Sequence, residues 1–77
     1  MTTKHLESVY NAYNLSHETL ANALNRLEIS NKEVKEGVER STYNDYIQLR
    51  AILRVAYGIR KLPRDNDGLI TIARRLV

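Results

Sequence analysis

The segment 49–62 holds the densest group of apolar residues in the chain, and it restricts the possible folds more than any other feature. Its aliphatic side chains recur at helical spacing and are Leu49, Ile52, Leu53, Val55, Ala56, Ile59 and Leu62. At 100° per residue they cover more than half of a helix, which is typical of a helix at the centre of a bundle. We predict that this helix begins at Ser41 or Thr42. Gly58 can end it early, and Pro63 must end it because proline lacks the backbone donor that a helix interior needs.

Two narrower apolar stripes precede this segment and predict two earlier helices. The first helix covers residues 4–13 and carries Leu6, Val9, Tyr10 and Tyr13. The second begins after Ser16 as its N-cap and carries Leu20, Ala23, Leu24 and Leu27.

Residues 28–40 predict a turn followed by a short third helix. Ser30 and Glu33 have the spacing of a capping box, in which each side chain accepts a hydrogen bond from the backbone N–H of the other residue. Ile29 and Val34 have the spacing of the hydrophobic staple that often accompanies it. We therefore predict a turn at residues 28–30 and a helix from there to about Arg40.

The last segment predicts a turn over residues 64–68 and a final helix. Its inward side chains are predicted to be Leu69, Ile72, Ala73 and Leu76. The run at 69–72, which is rich in β-branched residues, leaves a strand open as an alternative. Taken together, these patterns predict a single all-α domain over residues 1–77, a compact bundle of four or five helices with a long central fourth helix.

Composition narrows the classes of function. The chain has 77 residues and no cysteine, which excludes disulfides, thiolate nucleophiles and cysteine metal sites. The N-terminus lacks an apolar stretch, and no apolar run approaches the ~18 residues of a membrane span. We expect a cytoplasmic protein that does not bind membranes. Because so short a chain builds only a thin core, a homodimer is one of the open possibilities.

No pattern for catalysis or metal binding is present. The two histidines, His5 and His17, have no titratable partner at a useful spacing. The acidic turn at 65–68 resembles a calcium loop, but Pro63 and Arg74 occupy the positions where such a loop needs carboxylates. We predict that the protein is not an enzyme, binds no cofactor or metal and has no small-molecule substrate.

Charge is distributed unevenly along the chain. Residues 50–77 contain seven basic and two acidic residues, whereas residues 1–49 contain five basic and seven acidic ones. On a continuous helix Arg50, Arg54, Tyr57 and Lys61 would lie within about 60° of one another. Such a ridge suits a phosphate backbone or an unstacked base, although it could also be only a solvated helix face. Further cations that could extend it are Arg60, Arg64, Arg74 and Arg75.

Residues 15–21, with the sequence LSHETLA, follow the first apolar helix in a way that resembles the λ-repressor-like (Cro/C1, XRE) helix-turn-helix family. Ile29 matches the apolar turn residue of that family, and Val34 matches the apolar position inside its recognition helix. The resemblance implies that Asn31, Lys32 and Lys35 face the bases of DNA. The sequence departs from the family in its longer second helix and in glutamates on the would-be recognition helix.

These observations support two hypotheses about function. The first is a small regulatory DNA-binding protein that holds the phosphates of duplex DNA with its basic C-terminal third. The alternative is a protein-interaction module, an adaptor or inhibitor that docks on a larger protein, for example on an acidic surface. The glutamates at 33, 36 and 39 favour the alternative because they repel phosphates.

Overall fold

The computed structural model describes residues 20–77, which form three helices and no strand. Helix α1 covers Leu20–Lys35, α2 covers Tyr43–Val55 and α3 covers Asn66–Leu76. The all-α class is therefore confirmed for this part of the chain. The predicted helix over 4–13 and the predicted N-cap at Ser16 lie outside the described residues.

The three helices enclose one apolar core. Its buried side chains are Leu20, Ala23, Leu24 and Leu27 from α1, Leu49, Ile52 and Leu53 from α2, and Leu69, Ile70 and Ala73 from α3. Within each helix these residues recur at helical spacing because only one face of a helix can meet the core. The stripe predicted for α1 is confirmed in full, whereas Val55 of the apolar set predicted for α2 is 51% exposed. Helix α1 packs extensively against both of the others, whereas α2 and α3 contact each other less. Among the three described helices, the central one is thus α1 and not the predicted fourth helix.

Helix α1 is continuous through the predicted turn, so the turn at 28–30 and the separate third helix are wrong. Ser30 is buried, and its hydroxyl donates a hydrogen bond to the carbonyl of Leu27 at 3.3 Å within the same helix. Ser30 lies on the core face of α1, where it continues the stripe that ends at Leu27. The proposed staple is not formed as a buried pair, because Ile29 is 50% and Val34 is 40% exposed.

A glycine ends α1 earlier than predicted, at Lys35 and not near Arg40. Gly37 adopts a φ of +96°, a left-handed conformation that side chains disfavour. The N–H of Gly37 donates to the carbonyl of Val34 at 3.0 Å, and the N–H of Val38 donates to the carbonyl of Glu33 at 2.9 Å. These two bonds form a Schellman motif, which satisfies carbonyls that the end of a helix leaves open.

Helix α2 ends at Val55, so the predicted continuation to Leu62 is wrong and the early stop at Gly58 is confirmed. Gly58 has a φ of +67°, and the N–H of Ile59 then donates back to the carbonyl of Leu53 at 3.1 Å. This reversal returns Ile59 and Leu62 to the core from a non-helical segment. With 13 residues α2 is shorter than α1, which has 16.

Helix α3 confirms the predicted final helix over the strand alternative, but it begins at Asn66, inside the predicted turn, so only residues 64–65 of the range 64–68 remain a bend. It begins at Asn66 because the carboxylate of Asp65 caps it, accepting a hydrogen bond from the N–H of Gly68 at 2.8 Å. Ile70 is buried, and Leu76, which we predicted to face inward, is 43% exposed at the end of the helix. None of the helices in residues 20–77 is long and apolar enough to cross a membrane.

A candidate nucleic-acid interface

Three basic side chains of the described domain are neutralised by ion pairs between or beside the helices. Lys35 contacts Asp67 at 3.0 Å, which links α1 to α3. Arg74 contacts Glu28, also between α3 and α1, with its Nε 2.8 Å from the carboxylate. Arg40 contacts Glu33 at 3.2 Å. These cations have a carboxylate beside them, which weakens the attraction that each can exert on a phosphate.

Two of the three predicted base-contacting residues belong to this ion-paired region. Asn31 donates to Asp67 at 3.1 Å, next to the contact from Lys35. These bonds hold the pKa of Asp67 below its usual value, chiefly through the hydrogen bond from Lys35 and then through that from Asn31. Lys32 lies on the same exposed groove, which Glu28 also lines. The base-contacting role of these residues stays a prediction, and α1 presents two of them already bound to a carboxylate.

The basic residues of segment 50–64 differ from those cations because no ion pair of the described domain involves them. We call this segment the basic segment; its cations are Arg50, Arg54, Arg60, Lys61 and Arg64, and it contains no Asp or Glu. Within residues 20–77 none of the five forms an ion pair. Four of the five are exposed, and Arg50 is half-buried. The segment is therefore a concentrated and uncompensated positive surface.

The structure does not arrange this surface as the single helical ridge that the spacing predicted. Tyr57 and Lys61 lie beyond the end of α2, so they cannot share a helix face with Arg50 and Arg54. The cations are instead spread over the C-terminal half of α2 and the connection from α2 to α3. Arg75, in the last turn of α3, is exposed and likewise has no ion pair in the described domain.

Arg50 is held in place by neutral oxygen atoms. Its Nη1 donates to the hydroxyl of Tyr46 at 3.1 Å and to the carbonyl of Pro63 at 3.4 Å. The hydroxyl of Tyr46 also donates to the carbonyl of Pro63 at 3.4 Å. Arg50 thus joins α2 to the connection that follows it and keeps its full positive charge.

An open groove of about 500 Å³ lies beside Arg50, between the start of α2 and the start of α3. It is lined by Ser41, Thr42, Tyr43, Tyr46, Arg50, Arg64 and Asn66. Asn66 donates to the hydroxyl of Thr42 at 2.9 Å and so joins the two helix starts. The lining includes two guanidinium groups, two aliphatic hydroxyls, one amide and two phenols, but no carboxylate. Such a set of donors suits an anionic ligand.

Most of the residues that line the groove were not predicted from the sequence. Only Arg50 and Arg64 were among the predicted site residues. The spacing of Tyr46 and Arg50, four residues apart on a helix, could have indicated their contact. The approach of Pro63, Arg64 and Asn66 could not be anticipated, because it depends on how the connection folds back after Gly58.

Comparison with known proteins adds no further evidence on identity. No family model, curated protein or solved structure matches this chain. The resemblance to the helix-turn-helix family stays a prediction, and the continuity of α1 removes the turn on which its recognition helix was placed. Residues 20–77 also contain no group of three acidic or histidine side chains that could hold a metal ion. A functional interpretation therefore depends on the charge and geometry of the basic segment.

Proposed function

We propose that this protein is a small, non-catalytic DNA-binding protein that contacts phosphates through the basic segment. The observation that supports this proposal is that residues 50–64 contain five cations and no Asp or Glu, and that none of the five forms an ion pair within residues 20–77. Elsewhere in the described domain Lys35, Arg40 and Arg74 each have an acidic partner. A surface of unpaired cations binds a polyanion strongly because it displaces the counterions condensed on the phosphates.

In this proposal the protein acts in the cytoplasm and regulates transcription by occupying DNA. Phosphate contacts position a protein on DNA but carry no sequence information by themselves. Asn31 and Lys35 already donate to the carboxylate of Asp67, which would compete with a base for these side chains. Lys32 has no such bond in the described domain and is the readiest of the three for that role.

The proposal can be tested by measuring the salt dependence of binding to a fluorescent duplex by anisotropy. The double variant Arg54→Gln/Lys61→Gln removes two exposed cations that make no ion pair. It should weaken binding and lower the slope of log K against log salt by about 1.8, since each phosphate contact contributes about 0.9.

A matched control is the double variant Arg40→Gln/Arg74→Gln, which removes the same net charge from ion-paired positions. Because these exposed ion pairs contribute only up to about 1 kcal/mol each to stability, the control should remain folded. It should lower the slope much less than the first variant. Equal effects of the two variants would show that net charge alone matters, and an unsubstituted protein without salt-dependent binding at micromolar concentration would overturn the proposal.

A second candidate function, a protein-interaction module, is favoured by apolar side chains that α1 and its end leave exposed. Ile29, Val34 and Val38 are 50%, 40% and 47% exposed. Partner proteins often cover such side chains, although isolated exposed apolar residues are also common. A pull-down with and without nuclease separates the two functions. The protein-interaction module is favoured if a protein partner remains bound after nuclease treatment and if the variant Ile29→Ser/Val38→Ser no longer binds that partner.

A further inference from the structure

The groove beside Arg50 combines an exposed aromatic ring with positive charge. Tyr43 is the first residue of α2 and is 65% exposed, although it is a large side chain. It lines the groove together with Arg50 and Arg64. An aromatic face beside a guanidinium group is the combination that proteins use to hold an unstacked base and its phosphate.

Arg50 lines the groove, and hydrogen bonds within the domain hold its guanidinium in place. Both of its hydrogen bonds use Nη1, so Nη2 and Nε have no hydrogen-bond partner within residues 20–77. The side chain is half-buried, and no carboxylate neutralises it. Burying a charge without a counterion is unfavourable, and an anion placed at the open edge of the guanidinium would relieve that cost.

We propose that the groove binds one unpaired nucleotide of a single-stranded nucleic acid, with its phosphate at Arg50 and Arg64 and its base stacked on Tyr43. This inference rests on the proposed function and adds to it a preference for single-stranded over duplex nucleic acid. Base pairs in a duplex already stack on one another, so only an unpaired base has a face free for Tyr43. The groove, at about 500 Å³, is within the size range of small-ligand sites. The side-chain nitrogen of Asn66 already donates to Thr42 and Asn31, so the groups available for the polar edges of a base are the hydroxyl of Ser41 and the side-chain carbonyl of Asn66.

The test compares binding of a labelled single-stranded oligothymidylate with binding of a blunt duplex of the same length. Tyr43→Ala should weaken binding of the single strand by about 5- to 160-fold, which is the range expected from the loss of one base–aromatic stack. Binding of the duplex should change by less than about twofold, because phosphate contacts of the basic segment remain. Tyr43→Phe keeps the ring and should bind the single strand as the unsubstituted protein does.

Arg64→Gln supplies a test of the phosphate contact, because Arg64 is exposed and makes no ion pair in the described domain. It should weaken binding of the single strand and lower its salt slope by about 0.7. An NMR titration of the unsubstituted protein with oligothymidylate checks the location without any substitution. The shifts should concentrate on residues 41–50 and 64–66.

The outcomes separate this inference from the proposed function. If neither nucleic acid binds in a salt-dependent way, both proposals are overturned. If both bind, but Tyr43→Ala affects single strand and duplex equally or affects neither, the nucleotide site is wrong while the phosphate-binding function stands. NMR shifts confined to residues outside the groove would likewise overturn the nucleotide site alone.

Discussion

The continuity of α1 through Ser30 can be tested with one substitution, because a cap and a buried helix position predict different outcomes for Ser30→Ala. If Ser30 were an N-cap, its hydroxyl would satisfy an open backbone N–H, and alanine would cost about 1 kcal/mol of the free energy of unfolding. In the structure Ser30 is 1% exposed inside α1, and its hydroxyl only donates to the carbonyl of Leu27.

The expected magnitude follows from two opposing effects. Loss of the hydrogen bond to Leu27 destabilises by about 0.5 kcal/mol, the low end of the usual range, because the bond is long at 3.3 Å and stays within one turn. Alanine stabilises a helix interior by about 0.5 kcal/mol relative to serine, and its methyl group occupies nearly the same buried volume. We therefore expect a change of less than about 0.5 kcal/mol in either direction.

Urea denaturation followed by far-UV circular dichroism measures this change, and Asp65→Ala is the matched control. Asp65 is a true N-cap that accepts a hydrogen bond from Gly68 at 2.8 Å, so its replacement should cost about 1 kcal/mol. A loss for Ser30→Ala as large as that for Asp65→Ala would refute a continuous helix through residues 28–30 and restore the predicted turn.

Two further predictions concern the start of α3. Gly68→Ala should destabilise the protein by about 1–3 kcal/mol in urea denaturation, because the added Cβ would lie 2.5 Å from Cβ of Pro63. Alanine usually favours a helix, so an unchanged or higher stability would contradict this close contact. The pKa of Asp67 is lowered in the folded state. The ionised carboxylate of Asp67 therefore stabilises the protein at a pH above the ordinary carboxyl pKa of about 3.9, and this stabilisation is lost as the pH falls through the lower pKa of the folded state. Asp67→Asn should therefore be less stable than the unsubstituted protein at pH 6, and the difference should disappear once the pH falls below the folded pKa of Asp67. Urea midpoints from pH 6 into the acid range would show this, and a difference that persists at the acid end would indicate another role for Asp67.

The candidate site was predictable in composition but not in shape. Counting charges located the basic segment, since a region with five cations and no carboxylate is visible in the chain itself. The helical spacing of Arg50, Arg54, Tyr57 and Lys61 suggested one ridge, which fails because Gly58 and the bond from Ile59 to Leu53 end the helix before the third member of the set. The local pattern is compatible both with a helix that continues to Leu62 and with one that stops early at Gly58. The packing of the connection on the core decides for the early stop.

The sequence by itself determined that the described domain is helical and which stripe of α1 is buried, because helical periodicity and apolar burial are properties of neighbouring residues. In α2 and α3 it determined the stripe only in part, since Val55 and Leu76 are exposed and Ile70 is buried. Tertiary structure decided the continuity of α1, where burial of Ser30 against the core prevailed over a local capping pattern. It also decided which charges are neutralised: Lys35 and Asp67 are separated by 32 residues, yet the packing of α1 on α3 places them 3.0 Å apart. No spacing rule covers such a distance along the chain. The cations left unpaired, and the groove beside them, are therefore consequences of the folded arrangement of three helices.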